Sequence, residues 1–450
     1  MIFSQDYRNH YKENLRLGFP VIMGQVGHMM TSLVDNAMVG NINSTLLAAS
    51  SLANTVFIMI YIFGLGLSIG LTPAVGRAYG NEKHGQIASY LKNGKIIYLW
   101  TGFMLTITMW VASYFFDKLD QPAEVVVEAI PYFLTLSISM VPFMYYMSLK
   151  QFAEGVTLTM PAMWAGLAGN VVNVILNYLL IYGELGFPRW ELFGAGVATT
   201  IARSLMAVFL FIILSRDKRV QKYLRAAKRL KIRRESVVNL LKIGVPIGFQ
   251  FVLEVSAFVA GTIMMGWLGV FPLAAHQIAI SLSALAFLVA TGIATAATIR
   301  VSNFLGNEKY HKMRVAGNSA YVMGMALMIF TALCFIFLGR QISMIFTNDE
   351  MVIAISTQLL IIAGFFQIVD GAQAVGLGIL RGLEDVKIPT IIVVIAYWVL
   401  SIPLSYIFAF TFDMGAEGVW YGYLAGLSFS GVFLYLRFLH YSKKLSGKMV

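Results

Sequence analysis

Charged side chains are scarce in this sequence: they make up 12% of its 450 residues, whereas hydrophobic side chains make up 58%. Soluble globular chains are usually about 25% charged and less than half apolar. The mean hydropathy is also high, at +0.74. The composition therefore excludes an ordinary soluble domain and indicates a membrane protein.

Other chemistry-bearing features are also missing. Cys334 is the single cysteine, so an intramolecular disulfide is excluded and a buried apolar role is favoured. The sequence has no metal-ligand cluster, phosphate-binding loop or visible pair of nucleophile and base. We therefore expect no organic cofactor, no transition metal and no enzymatic activity, and we expect the energy for any transport to come from an ion gradient or another subunit.

Long apolar runs, in contrast, recur along the whole chain. A helix needs about 20 apolar residues to cross a bilayer. The amino terminus lacks the pattern of a cleaved signal peptide, so the first run is predicted to be the first span. The sequence predicts an all-α membrane protein with twelve spans, at 17–39, 46–71, 93–116, 125–149, 160–182, 193–214, 243–266, 272–299, 315–338, 352–380, 388–410 and 416–436.

The Lys and Arg residues between these spans are distributed unevenly. Only Lys118, Arg189 and Arg340 fall on one side; the others outside the spans lie on the side of the two termini and the even-to-odd connections. Positive charge accumulates in cytoplasmic loops, so both termini are predicted to be cytoplasmic. The basic block at 215–242 is then explained by neighbouring anionic lipid, and we expect no nucleic-acid partner.

The chain contains an internal repeat. LGFP at 17–20 recurs as IGVP at 243–246, and YGNEK at 79–83 recurs as LGNEK at 305–309, both 226 residues later. The repeat predicts two six-helix lobes, residues 1–214 and 243–450, joined by the linker 215–242. An even number of helices per copy predicts a pseudo-twofold axis along the membrane normal, as in many secondary transporters.

Three acidic residues, Asp35, Glu254 and Asp370, lie inside predicted spans, where an ionised side chain is costly unless it faces a cavity or a partner. Gln250 precedes Glu254 by one helical turn. If spans seven and ten pack together, Glu254 and Asp370 could hold a monovalent cation or share a proton. The alternative is that each is a protonated acid that only bonds a neighbouring helix.

The first copy offers a different set of polar residues. Asn170, Asn173 and Asn177 recur at helical spacing and line one face of span five. They either bond Asp35 or only hold helices together. His28, which occupies the repeat position of Glu254, is expected to be a packed histidine more than a titrating one.

Two further residues stay open in function. Arg203, in span six, either neutralises an acid or extends its charged end towards water. His276 follows an outside loop, and a structural role is favoured for it.

Several segments together resemble the multidrug and toxic compound extrusion family, and its NorM-like branch in particular. They cover essentially the whole chain: VDNAMVG, the two GNEK loops, MPAMWAGLAGNVVNVILNYLLIYG, GVATT, LEVSAF, AAHQIAISLS, FQIVDGAQAV and LRGLEDVKIP. The resemblance implies a two-lobed exporter that exchanges sodium ions or protons for diverse, often cationic and aromatic drugs by alternating access. We further expect the protein to be a monomer in the bacterial inner membrane.

The resemblance also implies roles for individual residues. Glu254 and Asp370 match the second-lobe cation site, and Asp35 matches the first-lobe acid. Asn173, Asn177 and Thr199 match its supporting polar residues. One departure is Phe287, which stands where some NorM-like proteins have a tyrosine. A lipid or lipid-linked-sugar flippase of the same superfamily is the alternative function, and it predicts a more cationic cleft; an intramembrane enzyme is disfavoured.

Overall fold

The computed structural model describes residues 5–446, and its regular structure is helical throughout that range. The helices of the first half are α1 (Gln5–Gly40), α2 (Ser44–Ile69), α3 (Leu71–Gly80), α4 (His84–Ser113), α5 (Ala123–Ile138), α6 (Met140–Gly155), α7 (Met160–Tyr182), α8 (Glu191–Arg216) and α9 (Lys218–Arg229). Those of the second half are α10 (Arg234–Leu268), α11 (Val270–Gly306), α12 (Tyr310–Phe346), α13 (Glu350–Gly382), α14 (Lys387–Val394), α15 (Ile402–Tyr406) and α16 (Gly415–Ser446).

Twelve stretches within the described residues are long and apolar enough to cross a membrane. Helices α2 and α3 together form one of them, as do α5 with α6 and α14 with α15. The predicted all-α fold with twelve spanning helices is therefore confirmed. The fifth predicted span, 160–182, coincides with α7, whereas the second extends beyond its predicted end at residue 71 to Gly80.

Residue contacts divide the chain into two compact units. The first unit is Met23–Gly248, and the second unit comprises the described residues of Met1–Ile22 and Phe249–Val450. The start of α1 thus belongs with the second half of the chain, and the start of α10 belongs with the first half. The lobes predicted from the sequence follow the repeat and not these packing units. Their division into 1–214, 215–242 and 243–450 stays a prediction.

The repeated glycine of LGFP and IGVP explains how these helix starts pack. A β-carbon on Gly244 would lie 2.5 Å from the carbonyl oxygen of Leu67 on α2. A β-carbon on Gly18 would lie 3.1 Å from the carbonyl oxygen of Gly292 on α11. In each unit the glycine lets a helix start approach the backbone of its neighbour, which a larger residue would prevent.

The repeated GNEK loops also share a backbone conformation. Glu82 and Glu308 have positive φ values of 55° and 56°. The amide of the following lysine closes the turn in both loops: Lys83 donates to Ala78, and Lys309 donates to Phe304, each at 3.0 Å. The sequence repeat is therefore also a structural repeat at this turn.

The two units differ in where their helices are irregular. In the first unit a break at Ser139 separates α5 from α6, whereas α13, which follows the equivalent loop in the second unit, is continuous. In the second unit, the span from Lys387 to Thr411 contains π-helical segments at Ile395–Ser401 and Ile407–Thr411. These irregular segments carry polar side chains of the sites described below.

Two charged residues that the sequence analysis assigned to connections are buried. Glu154 is 2% exposed, and its carboxylate lies 3.6 Å from the ammonium of Lys150. Arg300 is 8% exposed and donates to the Asn14 side chain at 2.6 Å and to the His10 carbonyl at 2.8 Å. Both residues lie outside the predicted spans 125–149 and 272–299 but within α6 and α11, because these helices extend past the apolar runs that were used to place the span ends.

The basic linker contains an amphipathic helix. Val220, Tyr223 and Leu224 of α9 are buried, and the Tyr223 hydroxyl lies 3.0 Å from Nδ1 of His84 on α4. Asp217 caps this helix by accepting from the amide of Arg219 at 2.9 Å. The apolar face of α9 is therefore fixed to the first unit.

Candidate functional site

Polar side chains surround the acidic residues of the predicted spans in two clusters, one in each unit. The first cluster joins α1, α7 and α8 through a chain of side-chain hydrogen bonds. Asn177 donates to the Asp35 carboxylate and, at 3.3 Å, to the amide oxygen of Asn173. Asn173 donates to the Thr199 hydroxyl at 3.3 Å. Of the span-five asparagines, Asn177 therefore bonds Asp35 directly, and Asn173 links this pair to α8.

The middle of this hydrogen-bonded chain is more buried than its two ends. Asn177 and Asn173 are buried at 0% and 4% exposure, whereas Asp35 and Thr199 retain partial exposure. The amide oxygen of Asn177 has no hydrogen-bond partner among the described residues. The cluster therefore presents a carboxylate that is held by a buried amide and still reaches accessible space.

Arg203 lies one turn after Thr199 on α8 and belongs to the same unit. It is 9% exposed, and it donates to the Ser139 hydroxyl at 2.6 Å. Its charge is within electrostatic range of Asp35 and His28. Of the two interpretations of Arg203, electrostatic compensation of an acid is the one that fits this placement, because the guanidinium is buried and does not extend into water.

The second cluster is centred on Glu254 of α10. Gln373 of α13 donates to Glu254 Oε1 at 3.0 Å, and the Tyr397 hydroxyl donates to the same oxygen at 3.1 Å. Gln373 also donates to the Tyr397 hydroxyl at 2.9 Å. Gln250 is 1% exposed and lies one turn before Glu254. Two neutral donors therefore orient one carboxylate oxygen of Glu254, and the guanidinium of Arg381 is within electrostatic range of this carboxylate.

Asp370 lies one turn before Gln373 on α13, in the same unit as Glu254. It is 4% exposed, and its charge is within electrostatic range of Glu254. No hydrogen bond to its carboxylate is recorded from the residues that the structure describes. The structure thus brings Glu254, Asp370 and Gln250 into one unit, and Asp35, Asn173, Asn177 and Thr199 into the other.

The two uncertain histidines differ in surroundings. His276 is fully buried, its Nε2 lies 3.2 Å from the Thr262 hydroxyl, and its ring packs edge-on against Trp420 with centroids 5.8 Å apart. This environment fits the structural role expected from the sequence. His28 has an accessible side chain and lies two turns before Asp35 on α1, and the packed role expected for it stays a prediction.

Two contacts of Glu254 were missed by the sequence analysis, namely Gln373 and Tyr397. Both are neutral, and neither stands out in a survey of charges. Gln373 was detectable, because it follows Asp370 at a spacing that places the two on one helix face. Phe287, in contrast, packs against the apolar cluster of Ala290, Met328 and Ala374, so its ring adds no polar group here.

The donor set of the second cluster fits a small monovalent cation or a proton. Carboxylate and amide oxygens are ligands of hard cations. Two neighbouring carboxylates in apolar surroundings need a compensating positive charge or a shared proton. No group of three or more His, Cys, Asp or Glu side chains suited to a metal ion occurs among the described residues.

Twelve helices long and apolar enough to cross a membrane, arranged in two compact units, define an integral membrane protein. A family model, MatE, matches residues 20–179 and 246–407, so the chain belongs to the MatE family. The resemblance found in the sequence is thereby confirmed.

Relatives match over nearly the whole chain. The Multidrug resistance protein NorM of Photobacterium profundum is 30% identical over 436 residues, which are 96% of each chain. The Probable multidrug resistance protein NorM of Brucella suis biovar 1 is 30% identical over 444 residues, covering 96% of this chain and 93% of that relative. The prediction that this chain is not an enzyme is confirmed by these relatives.

Solved structures show the same fold at lower identity. The eukaryotic MATE transporter AtDTX14 superposes with a TM-score of 0.85 at 18% identity, covering 99% of this chain and 100% of the other. An outward-facing multidrug resistance MATE family transporter gives a TM-score of 0.89 at 22% identity and covers 97% of both chains.

Proposed function

We propose that this protein is a secondary-active multidrug efflux transporter that exchanges sodium ions or protons for drugs by alternating access. The observation that carries the coupling mechanism is the second cluster, where Glu254 and Asp370 lie within electrostatic range of each other and only neutral groups hydrogen-bond Glu254. The relatives' name, multidrug resistance protein, supports the drug substrates.

A cation or proton entering the second cluster compensates the charge of its carboxylates. The ion drives transport only if it binds one conformational state better than the other. One positive charge that moves inward supplies about 2.3 kcal/mol per 100 mV of membrane potential. In the proposed cycle, Glu254 and Asp370 bind the incoming cation, Asp35 contributes in the first unit, and drug leaves outward.

We further propose that the protein lies in the bacterial inner membrane as a monomer with both termini in the cytoplasm. The excess of Lys and Arg in the connections on the terminal side supports this orientation. The expected substrates are small cationic or aromatic molecules.

Gradient-driven efflux tests the proposal. Energy-depleted cells loaded with rhodamine B receive an imposed sodium or proton gradient, each applied separately. We expect Glu254→Gln and Asp370→Asn to lose the gradient-dependent part of efflux, because each removes one carboxylate of the cluster. Glu350→Gln is the matched control, since Glu350 begins the same helix as Asp370 but is exposed and pairs with Arg340.

The separate gradients identify the coupling ion. If only one gradient drives efflux, that ion is the coupling ion. If both gradients drive efflux, sodium ions and protons compete for the same carboxylates. Export by both variants at the wild-type rate would show that the second cluster does not couple transport.

A further inference from the structure

The guanidinium of Arg203 occupies a cage of aromatic rings inside the first unit. Its central carbon lies 5.2, 5.8 and 5.1 Å from the ring centroids of Phe57, Tyr61 and Phe143. An aromatic face attracts cations, most strongly where water is excluded. The position in this unit that would suit an aromatic-bound cation is therefore already filled by the chain's own side chain.

The guanidinium keeps most of its hydrogen-bonding capacity. An arginine side chain carries five N–H donors, and among the described residues Arg203 donates only to Ser139, at 2.6 Å. Asp35 is within electrostatic range but accepts its hydrogen bond from Asn177. A buried cation on a rigid aromatic support, with donors unused, is suited to bind a carboxylate through its planar fork.

The rings that support Arg203 also favour an aromatic ligand. Phe57 and Tyr61 stack on each other with centroids 5.6 Å apart, and Tyr61 contacts Phe143 at 5.2 Å. Phe57 and Phe143 are buried, whereas Tyr61 is partly exposed. A ring that packs against Tyr61 would therefore place an attached acidic group near the guanidinium.

We propose that Arg203 sets the charge preference of the first unit, which binds aromatic molecules that carry a carboxylate and disfavours aromatic molecules that carry only positive charge. This inference rests on the proposed function, because it specifies a substrate class for the same transporter. In this proposal Arg203 determines substrate specificity, which is a role separate from folding and from ion binding in the second cluster.

A matched pair of dyes tests the preference. Rhodamine B carries a free carboxylate, and its ethyl ester differs only in having that group blocked. Equilibrium binding of both dyes to the purified full chain in lipid nanodiscs is measured by fluorescence anisotropy. The informative quantity is the dissociation constant of the ester divided by that of rhodamine B. This ratio cancels unspecific partitioning of the xanthene rings into lipid, and it is larger than one when the carboxylate is preferred.

We expect wild type to bind rhodamine B more tightly than the ester. In Arg203→Met this ratio should fall by about tenfold or more, since a hydrogen bond to a charged group is lost. Arg203→Lys retains the charge and should keep part of the preference. Ser204→Ala is the control for α8, because its hydroxyl bonds only within that helix, to Thr200, and the ratio should not change.

Equal ratios in wild type and Arg203→Met, with both proteins monodisperse, would overturn the inference. If Arg203→Met does not fold, Ser139→Ala replaces it, because it releases the guanidinium and should lower the ratio without removing charge. The binding assay uses no ion gradient. A charge preference without gradient-driven efflux would therefore sink the proposed function alone, and efflux without a charge preference would sink this inference alone.

Discussion

The two polar clusters come from two copies of one six-helix unit, yet they balance charge in different ways. In the first unit, the Asp35 carboxylate lies within electrostatic range of the fixed guanidinium of Arg203. In the second unit, the guanidinium of Arg381 is within electrostatic range of Glu254, but Glu254 also lies within electrostatic range of a second carboxylate, that of Asp370.

This difference separates fixed from exchangeable compensation. A carboxylate in a membrane interior is costly, at about 2.5–3.5 kcal/mol or more when isolated. A side chain on the same chain reduces that cost permanently. In the second unit two carboxylates face one guanidinium, so an ion from solution can compensate the remaining negative charge reversibly, which is the property that ion-coupled transport needs.

The largest expected effect among the predictions that follow concerns the hydrogen bonds to Glu254. Tyr397→Phe and Gln373→Leu should each weaken the apparent affinity for the coupling cation about tenfold. The reason is that the loss of a group that orients an ion ligand typically lowers ion affinity by roughly 10–100-fold. The measurement is the cation concentration that gives half-maximal efflux.

The control for this prediction is Tyr423→Phe. The Tyr423 hydroxyl is buried in the same unit but donates to the carbonyl of Phe258 at 3.3 Å. It should leave the cation dependence unchanged. An equal loss in Tyr423→Phe would mean that packing, not the contact with Glu254, determines the affinity.

A smaller effect is expected in the first unit. Asn177→Leu removes the donor of Asp35 and leaves a carboxylate with an unmade hydrogen bond, at a cost of about 1–3 kcal/mol. The midpoint temperature of thermal unfolding should fall by a few degrees, in proportion to this loss in the free energy of unfolding. Asn173→Leu should cost less, because Asn173 contacts Asp35 only through Asn177.

This pair of variants also tests the contrast between the units. If Asn177→Leu weakened the coupling-cation affinity tenfold at unchanged stability, the first cluster would bind the exchangeable ion as the second does. The described contrast would then be lost.

The smallest effect is expected outside both clusters, at the cap of α9. Asp217→Ala removes an N-cap, at about 1 kcal/mol, and should speed tryptic cleavage within Lys218–Arg229 without changing efflux. The hydrogen bond from Arg219 lowers the pKa of Asp217. The cap therefore stabilises α9 at neutral pH, and that contribution is lost as the pH falls through this lowered pKa.

Much of the fold followed from the sequence because membrane spans have a strong signal. Apolar length gave twelve spans, and the repeated LGFP, IGVP and GNEK segments marked the two copies. The exact ends were missed where a helix continues through polar residues, as α3 and α6 do. That burial depends on neighbouring helices and is invisible in a local reading of hydropathy.

The charged residues of the candidate site were predictable from the sequence, whereas the neutral polar residues were not. Asp35, Glu254 and Asp370 stood out because lone acids are rare in apolar runs. Gln373 and Tyr397 did not, since neutral polar side chains occur in spans for many reasons. The contact of Tyr397 with Glu254 also depends on a helix register that includes the π-helical segment Ile395–Ser401, which tertiary packing determines.

The break at Ser139 and the π-helical segments after Ile395 have a consequence for where backbone opening begins. Interrupted helices have fewer regular backbone hydrogen bonds at the interruption, and such places are where local opening begins. Amide protons should exchange with water earliest near Ser139 in the first unit and near Ile395–Ser401 in the second. The two copies would then begin to open at different positions of the repeat, each beside its own cluster of polar side chains.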